Sequence, residues 1–243
     1  MKKLTYITLA VAMIAFCASC EKVDHAKGLR VTYYPSFSLN QGSLVAHQVG
    51  TPWVDPGCVA TLKGEDISDQ LEINGPVDAN TSGIYSIEYS FTNEDGFTNS
   101  ISRTVVVYDV ANASSTDISG DYNTSCNIYA VADGSLAGSW DPACSPQKIT
   151  KGPAKGLFYV QDLFGGRYAV FAGYGSSYAA KALILLNSDN SVSLLDANVA
   201  WGPTFSTHNP ANTKYDPATS TLTIDFIWGT WGTANFFVCT YSK

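Results

Sequence analysis

Apolar and polar residues alternate along this chain with a period of two far more often than they recur at helical spacing. Between positions 83 and 92, Tyr85, Ile87, Tyr89 and Phe91 fall on one side, and Ser86, Glu88, Ser90 and Thr92 on the other. This is the pattern of an antiparallel strand with one buried and one wet face. Asn93-Glu94-Asp95-Gly96 supplies a turn, and residues 101–108 return as a second strand. Two strands are not stable alone, so residues 29–110 are predicted to form a β-sandwich. Residues 111–117 are small and polar and read as a linker.

Residues 118–243 are patterned as strands throughout. Strands are predicted over 120–130, 156–162, 167–173, 182–187, 192–196, 221–228 and 235–241. In 221–228, Leu222, Ile224, Phe226 and Trp228 share one face, and Thr221, Thr223 and Asp225 the other. Asn187-Ser188-Asp189-Asn190 is a hairpin turn. Seven or eight consecutive strands with short turns predict an antiparallel meander, curled into a barrel or a flattened sandwich. The stretch 198–220 holds Pro203, Pro210 and Pro217 and is a candidate functional loop. The fold class is therefore all-β, in two domains.

The N-terminus departs from this pattern. Lys2 and Lys3 precede a short apolar run, Leu9 to Phe16, which ends in Cys17-Ala18-Ser19-Cys20. The run is too short for a membrane span and reads as an export signal over residues 1–19. Small residues before a cysteine resemble the lipobox of bacterial lipoproteins. The resemblance implies cleavage before Cys20 and lipidation of that residue, with residues 20–28 as a polar tether. Acylation by two or more chains would hold the protein stably on a membrane. Glu21 directly after the cysteine is similar to surface-export signals of Bacteroidota lipoproteins, so an outer-membrane, cell-surface location is expected.

The chain has 243 residues and a formal net charge of −7, which removal of Lys2 and Lys3 with the leader takes to −9. No clustered Lys/Arg marks a nucleic-acid footprint. Tyr 14, Phe 11 and Trp 5 supply ample core material. Besides Cys20, the exported chain carries Cys58, Cys126, Cys144 and Cys239. Export permits disulfides, and four cysteines allow three complete pairings. Cys126 and Cys144 flank a small-residue loop within one domain and are the favoured pair; Cys58 reads as a buried free thiol. No Cys/His spacing suggests a metal.

Two family resemblances appear. Gly50-Thr51-Pro52-Trp53-Val54-Asp55-Pro56-Gly57, Gly83-Ile84-Tyr85-Ser86-Ile87-Glu88-Tyr89, Asn93-Glu94-Asp95-Gly96 and Arg103-Thr104-Val105-Val106-Val107 occur in order. The series resembles the bacterial Ig-like domain of pesticidal crystal proteins and many surface lipoproteins, which usually serves as a spacer. Ser119-Gly120-Asp121-Tyr122, Leu157 through Gly166, and Tyr215 through Leu222 resemble an uncharacterised C-terminal β-domain. That domain follows an Ig-like module in Bacteroidota lipoproteins, often near glycan-import systems of the starch-utilisation type. The resemblance implies glycan binding and an outer-membrane transporter complex as partner.

Candidate chemistry is sparse. His25, His47 and His208 are the only histidines, and no nucleophile elbow, zinc-protease motif or phosphate loop occurs. No cofactor and no catalytic residue are expected. Asp55, Glu65, Asp66, Glu94, Asp95 and Asp109 lack calcium-loop spacing and read as turn and cap residues. Glycoside hydrolysis needs two positioned carboxylates, and the second domain has aspartates but no glutamate, so a weak glycosidase is an alternative rather than the main reading. Sugar rings present apolar faces that stack on aromatic side chains. Trp201, Trp231, Tyr178, Tyr174 and Trp140 sit beside loops or strand ends and are the candidate ligand platforms, whereas Trp228 continues a core face and Trp53 reads as sandwich packing. The expected function is a non-catalytic surface lipoprotein that binds extracellular glycan. The other alternative is a structural or assembly lipoprotein that docks onto another surface protein.

Overall fold

The computed structural model describes residues 31–140, 146–202, 204–229 and 235–243, with Trp140 described by its backbone alone. The leader, Cys20, the tether, Cys144 and Trp231 lie outside the described residues. Among the described residues, no helix is long and apolar enough to cross a membrane.

The first half is a sandwich of two small sheets. One holds β1 (Ser36–Leu39), β3 (Cys58–Leu62) and β4 (Glu65–Asp66) in the order β1-β3-β4. The other has the order β2-β7-β6-β5, from β2 (Leu44–Gln48), β5 (Glu72–Asn74), β6 (Gly83–Thr92) and β7 (Thr98–Tyr108). β2 runs parallel to β7, and β6 and β7 form a long hairpin. The alternation in β6 holds: Ile87 and Tyr89 are buried with Cys58, Val105 and Val107, and Trp53 packs against this core. Cys58 is a buried free thiol.

The inward face of β7 also carries Arg103, which is wholly buried. Its guanidinium pairs with Asp55 and donates to the Tyr89 hydroxyl and to the carbonyls of Asn40 and Gly57. A buried cation persists only when paired and fully hydrogen-bonded. These donors tie β7 to the 40–57 loops of the facing sheet. Asp55 also accepts the Gly57 amide, Asp66 that of Ser68 and Asp109 that of Ala111, the turn roles expected of such carboxylates.

The second half is one ten-stranded antiparallel sheet curled into a nearly closed barrel. Its strands are β8 (Gly120–Ala130), β9 (Leu136–Trp140), β10 (Gln147–Lys151), β11 (Leu157–Val160), β12 (Lys181–Leu186), β13 (Val192–Asn198), β14 (Phe205–Thr207), β15 (Lys214–Asp216), β16 (Thr221–Trp228) and β17 (Asn235–Ser242). The main path runs β13-β12-β11-β10-β8-β17-β16-β14, with β9 on β8 and β15 on β16. The two ends meet where Val192 donates to Thr213 and Tyr215 to Asn190. Inward residues fill the barrel, among them Tyr122, Ile149, Phe164, Ile184, Leu222, Phe226 and Tyr241.

Three sequence expectations change here. Residues 167–173 are not a strand; Arg167–Phe171 form a π-helical turn. The stretch 198–220 is not one loop but contains β14, a 3-10 turn at Pro210–Asn212 and β15. Cys126 is bonded to Cys239 rather than to Cys144. The physical reason for the last is the strand order, which pairs β8, the first strand of this sheet, with β17, the last, and sets Cys126 directly opposite Cys239.

Residues 111–117 join the halves without standing free of them. Ala113 bridges to Asn187, and Ser188 donates to Asn112. Val106, Tyr108, Ala113, Leu157, Leu183 and Leu185 form a shared apolar cluster between the sandwich and the barrel wall. The buried Tyr108 hydroxyl donates to the Lys155 carbonyl at 2.8 Å. Tyr108→Phe is expected to cost about 1 kcal/mol, the net value of one such bond, read as a lower urea midpoint at unchanged slope.

Candidate functional site

The barrel end reached by the C-termini of β11, β13 and β16 is capped by residues 162–180 and by the turn after β13. Asp162 determines the shape of this cap. Its carboxylate is buried and accepts the amides of Phe164 at 2.9 Å, Ala180 at 3.0 Å and Gly166 at 3.1 Å. One side chain thus fastens both ends of the loop. Burial pushes the carboxyl above the ordinary aspartate value, against the pull of these three donors. The Tyr241 hydroxyl donates to the carbonyls of Asp162 and Leu163 from the barrel interior.

Gly165 and Gly166 follow, both in the left-handed region at φ 63° and 83°. At Gly165 there is also no room for a side chain: a Cβ would lie 2.8 Å from Cβ of Thr124. Left-handed backbone stops the strand pattern and directs the chain into the π-helical turn. That turn presents Tyr168. Tyr178 comes from the 3-10 turn Ser176–Tyr178, with Tyr174 just before it.

These tyrosines converge on Trp201. Its ring lies 4.7 Å from Tyr178, 5.0 Å from Tyr168, 5.7 Å from Tyr174 and 5.7 Å from Trp228, centroid to centroid. Tilted and edge-on contacts at such distances are those aromatic quadrupoles favour. Together the five rings line a pocket of about 420 Å³. Trp228 forms the floor, itself resting 5.0 Å from Phe164 and stacked on Phe205. Trp201 is 40% exposed and Tyr174 56%, so the pocket opens to solvent. Val170 and Phe171, on the same turn as Tyr168, are exposed, with the Arg167 guanidinium 4.6 Å over the Phe171 ring. Desolvation raises the Tyr168 hydroxyl above its ordinary value, so it stays a neutral donor and acceptor. No carboxylate lines the pocket among the described residues.

The structure brings Trp201, Tyr174 and Tyr178 together. It places Trp140 in β9 opposite Cys126. Trp228 packs in the core, as its face pattern suggests, and also floors the pocket. Tyr168 was not foreseen; the signal for it was Gly165-Gly166, two glycines that make a continuous strand over 167–173 implausible. His208 lies 3.0 Å from Asp225, which also accepts from Asn212, and stacks on Phe236 at 3.9 Å. Asp225 projects from the face of β16 opposite Trp228, so this pair is separated from the pocket by the barrel wall.

Comparisons with known proteins follow the same division of the chain. The family described as a bacterial surface protein, Ig-like domain, matches residues 37–107. A family described as a BT2262-like, C-terminal domain matches residues 111–243. Among solved structures the chain is similar to the lipoprotein BT2262 from Bacteroides thetaiotaomicron, at 31% identity over 86% of this chain and 100% of that one, with a TM-score of 0.44. Two structures from Clostridium perfringens ZmpB also match. The M60 catalytic domain with CBM51-1 and CBM51-2 is 17% identical over 46% of this chain and 19% of that one, with a TM-score of 0.28. CBM51-2 with GlcNAc and the INT domains is 18% identical over 65% and 30%, with a TM-score of 0.28. No curated protein matches the chain.

Proposed function

The chain belongs to the family of the BT2262-like C-terminal domain, and we propose on that premise that it is a lipid-anchored surface protein whose barrel binds extracellular glycan. The anchor is Cys20, in the outer membrane, and the sandwich holds the barrel away from the lipid. The barrel binds rather than cleaves. The observation that carries the reading is the pocket of Trp201, Tyr168, Tyr174 and Tyr178 over Trp228. Its volume lies within the roughly 300–1,000 Å³ usual for small-ligand sites. Its walls are ring faces and hydroxyls, the combination that receives the apolar face and the edge hydroxyls of a sugar. Among the described residues the lining supplies no carboxylate pair for hydrolysis.

Native affinity electrophoresis of the full chain through gels containing neutral polysaccharides tests this. Retardation by one glycan, weakened about tenfold by Trp201→Ala, is the expected result, since loss of one well-packed aromatic contact is of the order of 1.4 kcal/mol. Retardation that Trp201→Ala leaves unchanged removes the pocket from the reading. Free migration through every glycan, neutral or anionic, removes the reading itself. A second reading, docking onto another surface protein, is favoured by the exposed Val170 and Phe171 on the turn that carries Tyr168. Recovery of a protein partner that Phe171→Ser releases would support it. The transporter complex implied by the sequence resemblance finds no support in the family or structural matches.

A further inference from the structure

The outer wall of the barrel carries a second concavity. Four strands, β10 to β13, present two registered rows of outward side chains. Thr150, Tyr159, Leu183 and Asp196 face one another across the strands. In the next row stand Lys148, Gln161, Lys181 and Asn198. Lys181 pairs with Asn198, the Gln161 amide donates to the Lys148 carbonyl, and Val160 opposite Ala182 sets Gln161 opposite Lys181. Residues between the rows, Ile149, Val160 and Ala182, point into the barrel core. The register of β12 against β13 shifts between Leu183 and Ile184, beside the groove. The groove has a volume of about 660 Å³, larger than the aromatic pocket.

Its chemistry differs from that of the pocket. Leu183 at its foot is buried, shared with the cluster beneath the sandwich. Tyr159 lies 40% exposed on the wall, an aromatic side chain open to solvent. Lys148 and Lys181 stand two strands apart, about 10 Å at the usual inter-strand spacing. The groove lining carries these two lysines against one carboxylate, Asp196, a net positive patch in a chain of net charge −7. Neither lysine is committed elsewhere. Lys148 lies 3.7 Å from Asp121 with both side chains more than half exposed, a solvent-screened contact of little strength. Lys181 has no ion-pair partner among the described residues. Asn198 and Asp196 add amide and carboxylate groups that bond hydroxyls, and Gln161, whose Oε1 already accepts the Lys148 amide, adds its NH2.

The upper row also adjoins the pocket loops. Gln161 precedes Asp162, Lys181 follows Ala180, and Asn198 leads into the turn that carries Trp201. We infer that this groove is a second binding site, for the anionic units of a sugar chain, with Lys148 and Lys181 contacting successive carboxylates or sulfates and Tyr159 stacking on a ring between them. The inference rests on the glycan reading of the barrel but not on the aromatic pocket. A chain held at both sites would be gripped by stacking at the barrel end and by charge along its wall.

The test uses the full chain, the double variant Lys148→Gln/Lys181→Gln and Trp201→Ala. Each is run through native gels containing polygalacturonate, the same polymer with its carboxyls reduced, or dextran sulfate, with mobility referenced to a polymer-free gel. Polygalacturonate should retard the full chain, and the double variant should bind it about tenfold more weakly, two exposed charge contacts converted to affinity. The retardation should fall as salt shortens the screening length. The double variant should treat the carboxyl-reduced polymer as the unmodified chain does. The same lysine dependence on dextran sulfate alone assigns the anion as sulfate; dependence on polygalacturonate alone assigns it as carboxylate. Equal retardation of the full chain and the double variant by both anionic polymers overturns the inference, as does free migration of the full chain through both. Lysine-dependent binding that Trp201→Ala leaves intact, with no neutral glycan bound, would sink the pocket and leave the groove standing.

Discussion

Asp162→Ala is expected to destabilise the protein by about 3–5 kcal/mol and to abolish ligand binding at the barrel end. The carboxylate is the sole side-chain acceptor recorded for the amides of Phe164, Gly166 and Ala180, all buried. Each buried donor left without an acceptor costs about 1–3 kcal/mol, less where water enters. For a chain of this size the loss corresponds to a midpoint lower by roughly 6–20 °C. Binding fails sooner than folding, because the same carboxylate holds both ends of the loop that carries Tyr168, Tyr174 and Tyr178. Circular dichroism of a folded variant that no longer binds would separate the two effects. Asp162→Asn should be milder, since its amide keeps one acceptor oxygen but turns a donor toward a backbone amide.

The pH dependence of that milder variant follows from burial. The folded carboxyl titrates above its unfolded value, so the folded state takes up the proton more readily. This group therefore favours folding most at low pH, and the contribution is lost as pH rises through the folded value. The stability gap between the unmodified chain and Asp162→Asn should widen on acidification from neutral pH. A gap that narrows would mean that the three amides, not burial, dominate the titration.

Long, regular alternation was fully legible in the sequence. β6 and β16 bury the apolar faces their patterns assign, although on β16 the polar face is covered as well, with Asp225 buried beneath His208, Asn212 and Thr213. Short strands such as β14 and β15, three residues each, carry too few alternations to register. Residues 167–173 alternate well enough to pass for a strand. What overrides the pattern is tertiary: a buried aspartate just upstream, and a position where only glycine fits because Thr124 lies against it. Arg103 was hidden for a related reason. Its position in the alternation is an inward one, and its counterion Asp55 lies 48 residues away in sequence. At the site, aromatic residues beside glycine and proline pointed to Trp201, Tyr174 and Tyr178. Tyr168 depended on the turn that was misread, and the outer groove depended on cross-strand register, which no single strand displays.

The disulfide shows the same limit and supplies the second large effect. Chain proximity favoured Cys126 with Cys144, but the strand order makes the first and last strands of this sheet neighbours. β8 and β17 pair through eight registered positions, and Cys126 and Cys239 sit opposite each other with Cα atoms 4.1 Å apart. That is close to the spacing of a non-hydrogen-bonded antiparallel pair, where side chains approach most nearly. The bond spans 113 residues of chain, almost the whole barrel. Restricting so long a loop in the unfolded chain is worth up to about 4.7 kcal/mol on chain-entropy grounds, and native disulfides commonly contribute about 2–5 kcal/mol. The paired substitution Cys126→Ala/Cys239→Ala should therefore lower the midpoint by roughly 4–20 °C. Thermal scans with and without reductant check the size, and a non-reducing peptide map checks the partner. A Cys126–Cys144 peptide in that map would mean that the barrel seam is held by its backbone ladder alone. Recovery of Cys126–Cys239 with an unchanged midpoint in the double variant would mean that the ladder already restricts the chain as much as the covalent link does.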